Sequence, residues 1–273
     1  MIEVPALVYR SMAGAVLVGL LTGLISVFTV RIKLSSMGFC MSHAAFAGAA
    51  LGVGLSLNPF TMALIFSMAV ASLVGPVSDK AKLHPDLITS IAFPLNMALA
   101  FIFLTLTPGI VRFTNEVTSI LWGSILSVGF QDIVYLAGLL SAIVVAVILF
   151  WKELFAIMFS RRMAEADGIN TKPFIYAIIF AIGLVVTFSL KLVGGLLVFA
   201  LLFNPAATAL QFSYDIKKVA LAAPLLGVAS CLLGLALSYM FNWPAGACIV
   251  LVSTLGFALA VAFSPKRRVG NEV

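Results

Sequence analysis

The sequence predicts an all-α fold, a polytopic transmembrane helical bundle of about nine (eight to nine) helices, with residues 1–273 forming a single transmembrane domain. Three observations predict it. Hydrophobic residues make up 63% of the chain and charged residues 10%, against roughly a quarter charged in a soluble domain. The mean hydropathy is +1.20, and the apolar residues fall into runs separated by short polar punctuation. The cations, finally, sit between these runs and alternate in abundance from one gap to the next.

A helix needs about 20 mostly apolar residues to cross a ~30 Å hydrocarbon core at ~1.5 Å per residue. Runs of that kind appear at 7–30, 36–57, 59–77, 87–107, 132–150, 173–190, 193–212, 218–240 and 244–263. The first begins without a cationic segment and lacks a small-residue cleavage pattern, so it reads as a permanent span. Internal Gly and Pro do not veto helix in lipid, where neighbouring helices re-satisfy the freed backbone groups. The stretch Ser119-Ile-Leu-Trp-Gly-Ser-Ile-Leu-Ser127 is too short to cross and reads as interfacial or re-entrant. The weakest span is 193–212, where Asn204-Pro205 should break the helix near its middle. If that segment only dips in, eight spans remain and one terminus changes side.

Of the 16 Lys and Arg residues, only Arg10, Arg112 and Lys191 fall on one side of this nine-span arrangement. The positive-inside rule makes the other side cytoplasmic, with the N-terminus outside and the C-terminus inside. The net charge of +6 does not point to nucleic acid, because the cations are not gathered into one basic face. Cys40, Cys231 and Cys248 lie in separate apolar runs and do not form a disulfide framework.

Chemistry has few places to sit. His43 is the one histidine inside an apolar run. Were the helix to start near Lys33, His43 would lie roughly 15 Å deep, near the midplane. A polar side chain there faces a bundle interior or a cavity and is a candidate functional group. Ser36, Cys40, His43, Ala47 and Ala50 recur at helical spacing on one face. Imidazole with a thiolate one turn away suits a transition metal; a hydrogen-bonded structural histidine with Cys40 as filler is the alternative. No carboxylate lies deep in a span, which disfavours a carboxylate-relay carrier. No G-x-x-x-x-G-K-[ST] phosphate loop exists, so any ATP is bound by another chain. The longest loop on the cation-rich side, about 151–172, carries Lys152, Glu153, Arg161, Arg162, Glu165, Asp167 and Lys172. Ser160 could cap a short helix containing Ala164 and ending at Gly168. Such an element could receive a soluble partner or could simply be a solvated loop.

At these positions the sequence resembles the permease subunits of ABC transporters for zinc, manganese and iron. The family's Gly-Asp-Ala-Leu-Ser-His-Ala followed by Pro-Gly is similar to Gly38-Phe-Cys-Met-Ser-His-Ala44 and Ala47-Gly48. Its Leu-Phe-Gly-Ser-Ile-Leu resembles Leu121-Trp-Gly-Ser-Ile-Leu126. Its Lys-Glu-Leu with a downstream Ala…Gly resembles Lys152-Glu-Leu154 with Ala164…Gly168. The late block Val193-Gly-Gly-Leu-Leu-Val-Phe-Ala-Leu-Leu-Phe-Asn-Pro-Ala-Ala-Thr-Ala209 is the best of the four.

The resemblance implies a permease in a prokaryotic plasma membrane that carries a zinc, manganese or iron ion as substrate, holds no permanent cofactor and performs no covalent catalysis. It implies a homodimer, two cytoplasmic ABC ATPase subunits and an extracytoplasmic metal-binding protein. It also implies that 151–172 contains the ATPase-coupling helix, with Arg161, Arg162, Ala164, Glu165 and Gly168 as its residues. His43 matches the family's metal-contacting His. The family Asp, however, is Phe39 here and the family Pro is Ala47. An aromatic ring cannot ligate a cation as a carboxylate does. Either Cys40 serves as a softer ligand, or the pathway carries something else. An ABC permease for a chelate such as a siderophore or corrinoid, a stand-alone carrier and a non-transporting scaffold are the competing readings.

Overall fold

A computed structural model describes residues 4–105 and 128–264. The described residues are helical throughout, without strands: α1 (Val4–Arg31), α2 (Met37–Gly54), α3 (Pro59–Ala81), α4 (Pro85–Thr105), α5 (Phe130–Leu149), α6 (Trp151–Phe159), α7 (Arg161–Ala166), α8 (Thr171–Val193), α9 (Gly195–Leu201), α10 (Asn204–Phe212), α11 (Ile216–Phe241) and α12 (Ala245–Ala262). Eight of them are long and apolar enough to cross a membrane, by length and composition. The Ser119–Ser127 stretch lies outside the described residues.

Side-chain links define the two ends of the bundle. Arg31 at the end of α1, Pro85 at the start of α4, Arg161 of α7 and Ile175 early in α8 line one cavity. Asp79 near the end of α3 pairs with Lys172 of α8 at 2.9 Å. Trp151 and Lys217 line another cavity, which brings α6 and the start of α11 to the same level. The Ser264 hydroxyl donates to the Gln211 carbonyl at 3.0 Å, so α12 finishes beside the end of α10. These links gather the cation-rich gaps at a single end.

The segment read as the weakest span is the one that breaks. It forms two short helices, α9 and α10, separated at Leu202 and Phe203, and Pro205 lies in the first turn of α10. Proline suits a helix start because its missing N–H would have no intrahelical partner there. Since α8 begins at the cation-rich end and α11 begins there too, α9 and α10 together return the chain to it. The described chain thus passes nine times between the two ends, eight times as a long helix and once as this broken pair.

Packing relies on close backbone approach. Gly19 and Gly23, four residues apart on α1, face Ala223 and Gly227, four apart on α11. A Cβ at Gly19 would meet the Val228 backbone at 2.7 Å, and one at Gly23 would meet the Ala223 carbonyl at 2.6 Å. The contact order (19 with 227–228, 23 with 223–224) makes the pair antiparallel. In lipid, where no hydrophobic effect drives helix association, such small-residue seams supply the dispersion contacts instead. Buried hydroxyls of α1 bond within the helix: Thr22 donates to Val18 O (2.7 Å), Ser26 to Gly23 O (2.7 Å) and Thr29 to Ile25 O (3.0 Å). Between helices, Thr187 of α8 donates to the Ser67 hydroxyl of α3 at 3.0 Å, fully buried.

Helix α2 occupies the centre and is buried on nearly every side, from Met37 to Gly52. The chain reaches it through Lys33, whose φ of 60° turns the backbone before the helix can start. The helix therefore begins at Met37 rather than near Lys33. His43 lies six residues in, about 9 Å along the axis instead of 15.

Candidate metal pathway and coupling site

His43 is 7% exposed. Its Nδ1 lies 2.9 Å from the carbonyl oxygen of Phe39, one turn earlier. A carbonyl only accepts, so Nδ1 carries the proton, and in the neutral ring Nε2 is left with its lone pair free. This is the arrangement by which a backbone carbonyl fixes the tautomer of a metal-ligating imidazole. The ring is packed edge-on against Phe93 of α4, with centroids 4.7 Å apart. Phe39 in turn lies on Phe199 of α9 at 3.7 Å, and Phe199 on Phe203 at 4.8 Å. The aromatic rings join α2, α4 and α9 at the imidazole.

Cys40, on the same helix, is fully buried. Its sulfur faces α4, where the Asn96 amide approaches it at 3.6 Å and its own carbonyl at 3.4 Å. Among the described residues no three His, Cys, Asp or Glu side chains gather into a metal-binding group. His43 and Cys40 are together on α2, without a carboxylate to complete a set.

The other candidate residues form a distinct structure at the cation-rich end. Ser160 caps α7, its side chain accepting from Met163 N at 3.4 Å. The helix stops where Gly168 takes φ +84°, a left-handed conformation suited to glycine, while Ile169 N donates back to Ala164 O at 3.0 Å. Ala164 is 1% exposed and seats the helix; Arg162 and Glu165 point to solvent. Arg161 Nε lies 2.9 Å from Glu165 Oε1, which also accepts from the Thr171 hydroxyl at 2.6 Å. The Thr171 hydroxyl, and after it Arg161, hold the Glu165 carboxyl below the usual carboxylate range. This latch is complete at neutral pH and is lost as pH falls through the lowered value. A second tie, Asp79 to Lys172 and to the Tyr176 hydroxyl (2.7 Å), joins α3 to α8. These contacts tie α7 to α8, and the start of α8 to α3.

The sequence profile of the ABC 3 transport family matches residues 5–264. This chain belongs to that family. The manganese transport system membrane protein MntC of Listeria monocytogenes is 33% identical to it over 259 residues, covering 94% of this chain and 91% of that protein. The high-affinity zinc uptake system membrane protein ZnuB of Haemophilus influenzae is 25% identical over 256 residues, covering 93% and 97%. Among solved structures, a chain of PsaBC from Streptococcus pneumoniae in complex with Fab superposes with a TM-score of 0.83 at 28% identity, covering 96% of this chain and 93% of that one. As a member of the ABC 3 transport family, the chain is a multi-pass membrane transport protein rather than an enzyme.

The Ser160–Gly168 helix is legible in the sequence, whereas the aromatic enclosure of His43 and the Asn96 contact to Cys40 are not. Asn96 was available as a signal, since an amide inside an apolar run carries a cost unless it finds a partner. The Phe39, Phe93 and Phe199 grouping had none, because phenylalanine is expected anywhere in a span.

Proposed function

We propose that the chain is the permease subunit of an ABC importer for a divalent transition metal (zinc, manganese or iron). The observation that carries this reading is a buried imidazole with Nε2 free, at the family's histidine position, in a chain similar from end to end to a named manganese permease and a named zinc permease. The metal is cargo, bound transiently by His43 and Cys40 as it passes. Phe39 and Phe199 close α2 against α9 at this level, so passage requires α9 to move away from α2. The cation-rich end is cytoplasmic and includes the C-terminus. There α7, seated by Ala164 and ended by Gly168, offers its exposed Arg161, Arg162 and Glu165 to one of two ATPase subunits. Closure of the ATPases pushes α7, and the ties at Glu165 and Asp79 carry the push into α8 and α3. A second permease copy and an extracytoplasmic metal-binding protein complete the assembly.

The test is ATP-dependent uptake of Zn²⁺, Mn²⁺ and Fe²⁺ into vesicles holding the reconstituted complex, with wild-type permease and Cys40→Ser. Concentrative uptake of at least one ion is expected, with the variant losing zinc transport by about tenfold and manganese transport by less, because sulfur prefers zinc. Equal losses remove Cys40 from the pathway. Uptake of none of the three ions, with ATP hydrolysis intact, overturns the metal assignment and favours a chelate.

A further inference from the structure

At the cation-rich end, outside the path just described, lies a cavity of about 170 Å³ walled by the end of α1, the start of α4, α6–α7 and Ile175 of α8. Arg31, Lys33, His84, Ser160 and Arg161 contribute to its lining, and no Asp or Glu does. Arg161 is already matched by Glu165, but Arg31 Nε is buried without a hydrogen-bond partner. A buried guanidinium N–H with no acceptor is costly, and more so beside other cations. The cavity has room for several water-sized groups at about 30 Å³ each. Its rim is not wholly polar: Phe159 lines it and is 64% exposed.

We infer that this cavity binds a phosphate group, held by Arg31 and Lys33 against the Ser160 turn. A guanidinium N–H and an ammonium together match the multiple oxygens and charge of a phosphate better than they match a neutral acceptor. The cavity lies at the end of α1, the end at which a helix of that length crossing the hydrocarbon would reach the headgroups. A basic pocket between helices with an apolar rim at that depth suits the phosphate of an anionic phospholipid, its acyl chains lying along Phe159. Inorganic phosphate offers the same chemistry without the chains. Because the cavity borders Ser160 and Arg161, an occupant there also steadies the turn from which α7 starts. The inference does not depend on which ion is carried.

The test uses the full-length chain purified with its ATPase, in nanodiscs of phosphatidylcholine with or without phosphatidylglycerol. Bound phosphatidylglycerol is counted by mass spectrometry, and Tm is measured in each lipid and again with added inorganic phosphate. Wild type is expected to keep phosphatidylglycerol and gain Tm from it. Arg31→Gln/Lys33→Gln should retain it about tenfold less well and lose the Tm gain. Arg10→Gln, at the opposite end of α1, should match wild type. A Tm gain from inorganic phosphate in phosphatidylcholine alone, absent in the double variant, identifies free phosphate as the source. Should the double variant not fold, Lys33→Gln alone, with Arg31 intact, is expected to show a smaller loss of the same kind. Equal retention and equal Tm in wild type and variants, with no phosphate effect, overturns the inference. So does unchanged lipid binding with loss of the ATPase, which would assign the cavity to an acidic side chain of that partner.

Discussion

His43 is enclosed by Phe39 and Phe93 within the most buried of the described spans, whereas Arg162 and Glu165 stand in solvent on a helix of six residues. The two regions also use backbone differently. Around His43 a regular helix carbonyl fixes the ring's tautomer, and the side chains do the enclosing. Around α7 a serine cap and a left-handed glycine define the helix, and side-chain ions tie it to α8. A buried site can be rigid because its neighbours are packed against it. An exposed helix must get rigidity from caps and a latch, and it remains free to be pushed. Transport that starts with force at the second region and ends with release at the first would need this contrast.

The largest effect should come from the first region. His43→Ala removes the only imidazole on the proposed path and should abolish metal uptake, while the complex still assembles and hydrolyses ATP. Uptake assays alongside co-purification of the ATPase check both halves. Wild-type uptake in the variant would leave His43 as a structural residue of the aromatic packing. The second region comes next. Arg161→Glu with Arg162→Glu reverses two charges on α7 and places the first beside Glu165, breaking the latch as well as any docking contact. Loss of ATPase co-purification, or ATP hydrolysis no longer coupled to uptake, is expected. Retained coupling would put the docking element elsewhere.

The span positions were legible because lipid imposes one rule along the whole chain, and the 195–212 break was legible because Asn204-Pro205 has a local cause. The start of α2 was not. Lys33 is an ordinary residue in a left-handed conformation, and Asp86 of α4, whose carboxylate accepts from Ser36 N, lies fifty residues away. The ring partners of His43 were hidden for the same reason, since Phe93 comes from α4. The Ser160–Gly168 helix was readable because both of its boundaries are local signals.

A smaller effect should sharpen what closes the first region. Phe39→Asp replaces the ring stacked on Phe199 with a carboxylate one turn before His43. Opposite charge near a ligating imidazole strengthens cation binding, and losing the stack loosens α9. Mn²⁺ binding should tighten by about tenfold, or 1.4 kcal/mol, measured by calorimetry on the detergent-purified complex. Unchanged affinity would show that this position does not face the cation path.

The smallest effect tests whether the core between α3 and α8, through which motion from α7 must travel, is held by polar bonds or by packing. The Ser67 and Thr187 hydroxyls lie 3.0 Å apart in the core, but the single Thr187 proton is shared with Gly183 O, at 2.8 Å within its own helix. Thr187 therefore keeps an acceptor when Ser67 is removed, and the interhelical bond should be worth little. A double-mutant cycle of Ser67→Ala and Thr187→Val should give a coupling of about 0.6 kcal/mol in unfolding from mixed micelles. A coupling several times larger would make this bond, rather than the fit of Gly183 against Met68 and Ala71, the element that keeps α3 and α8 moving as one body.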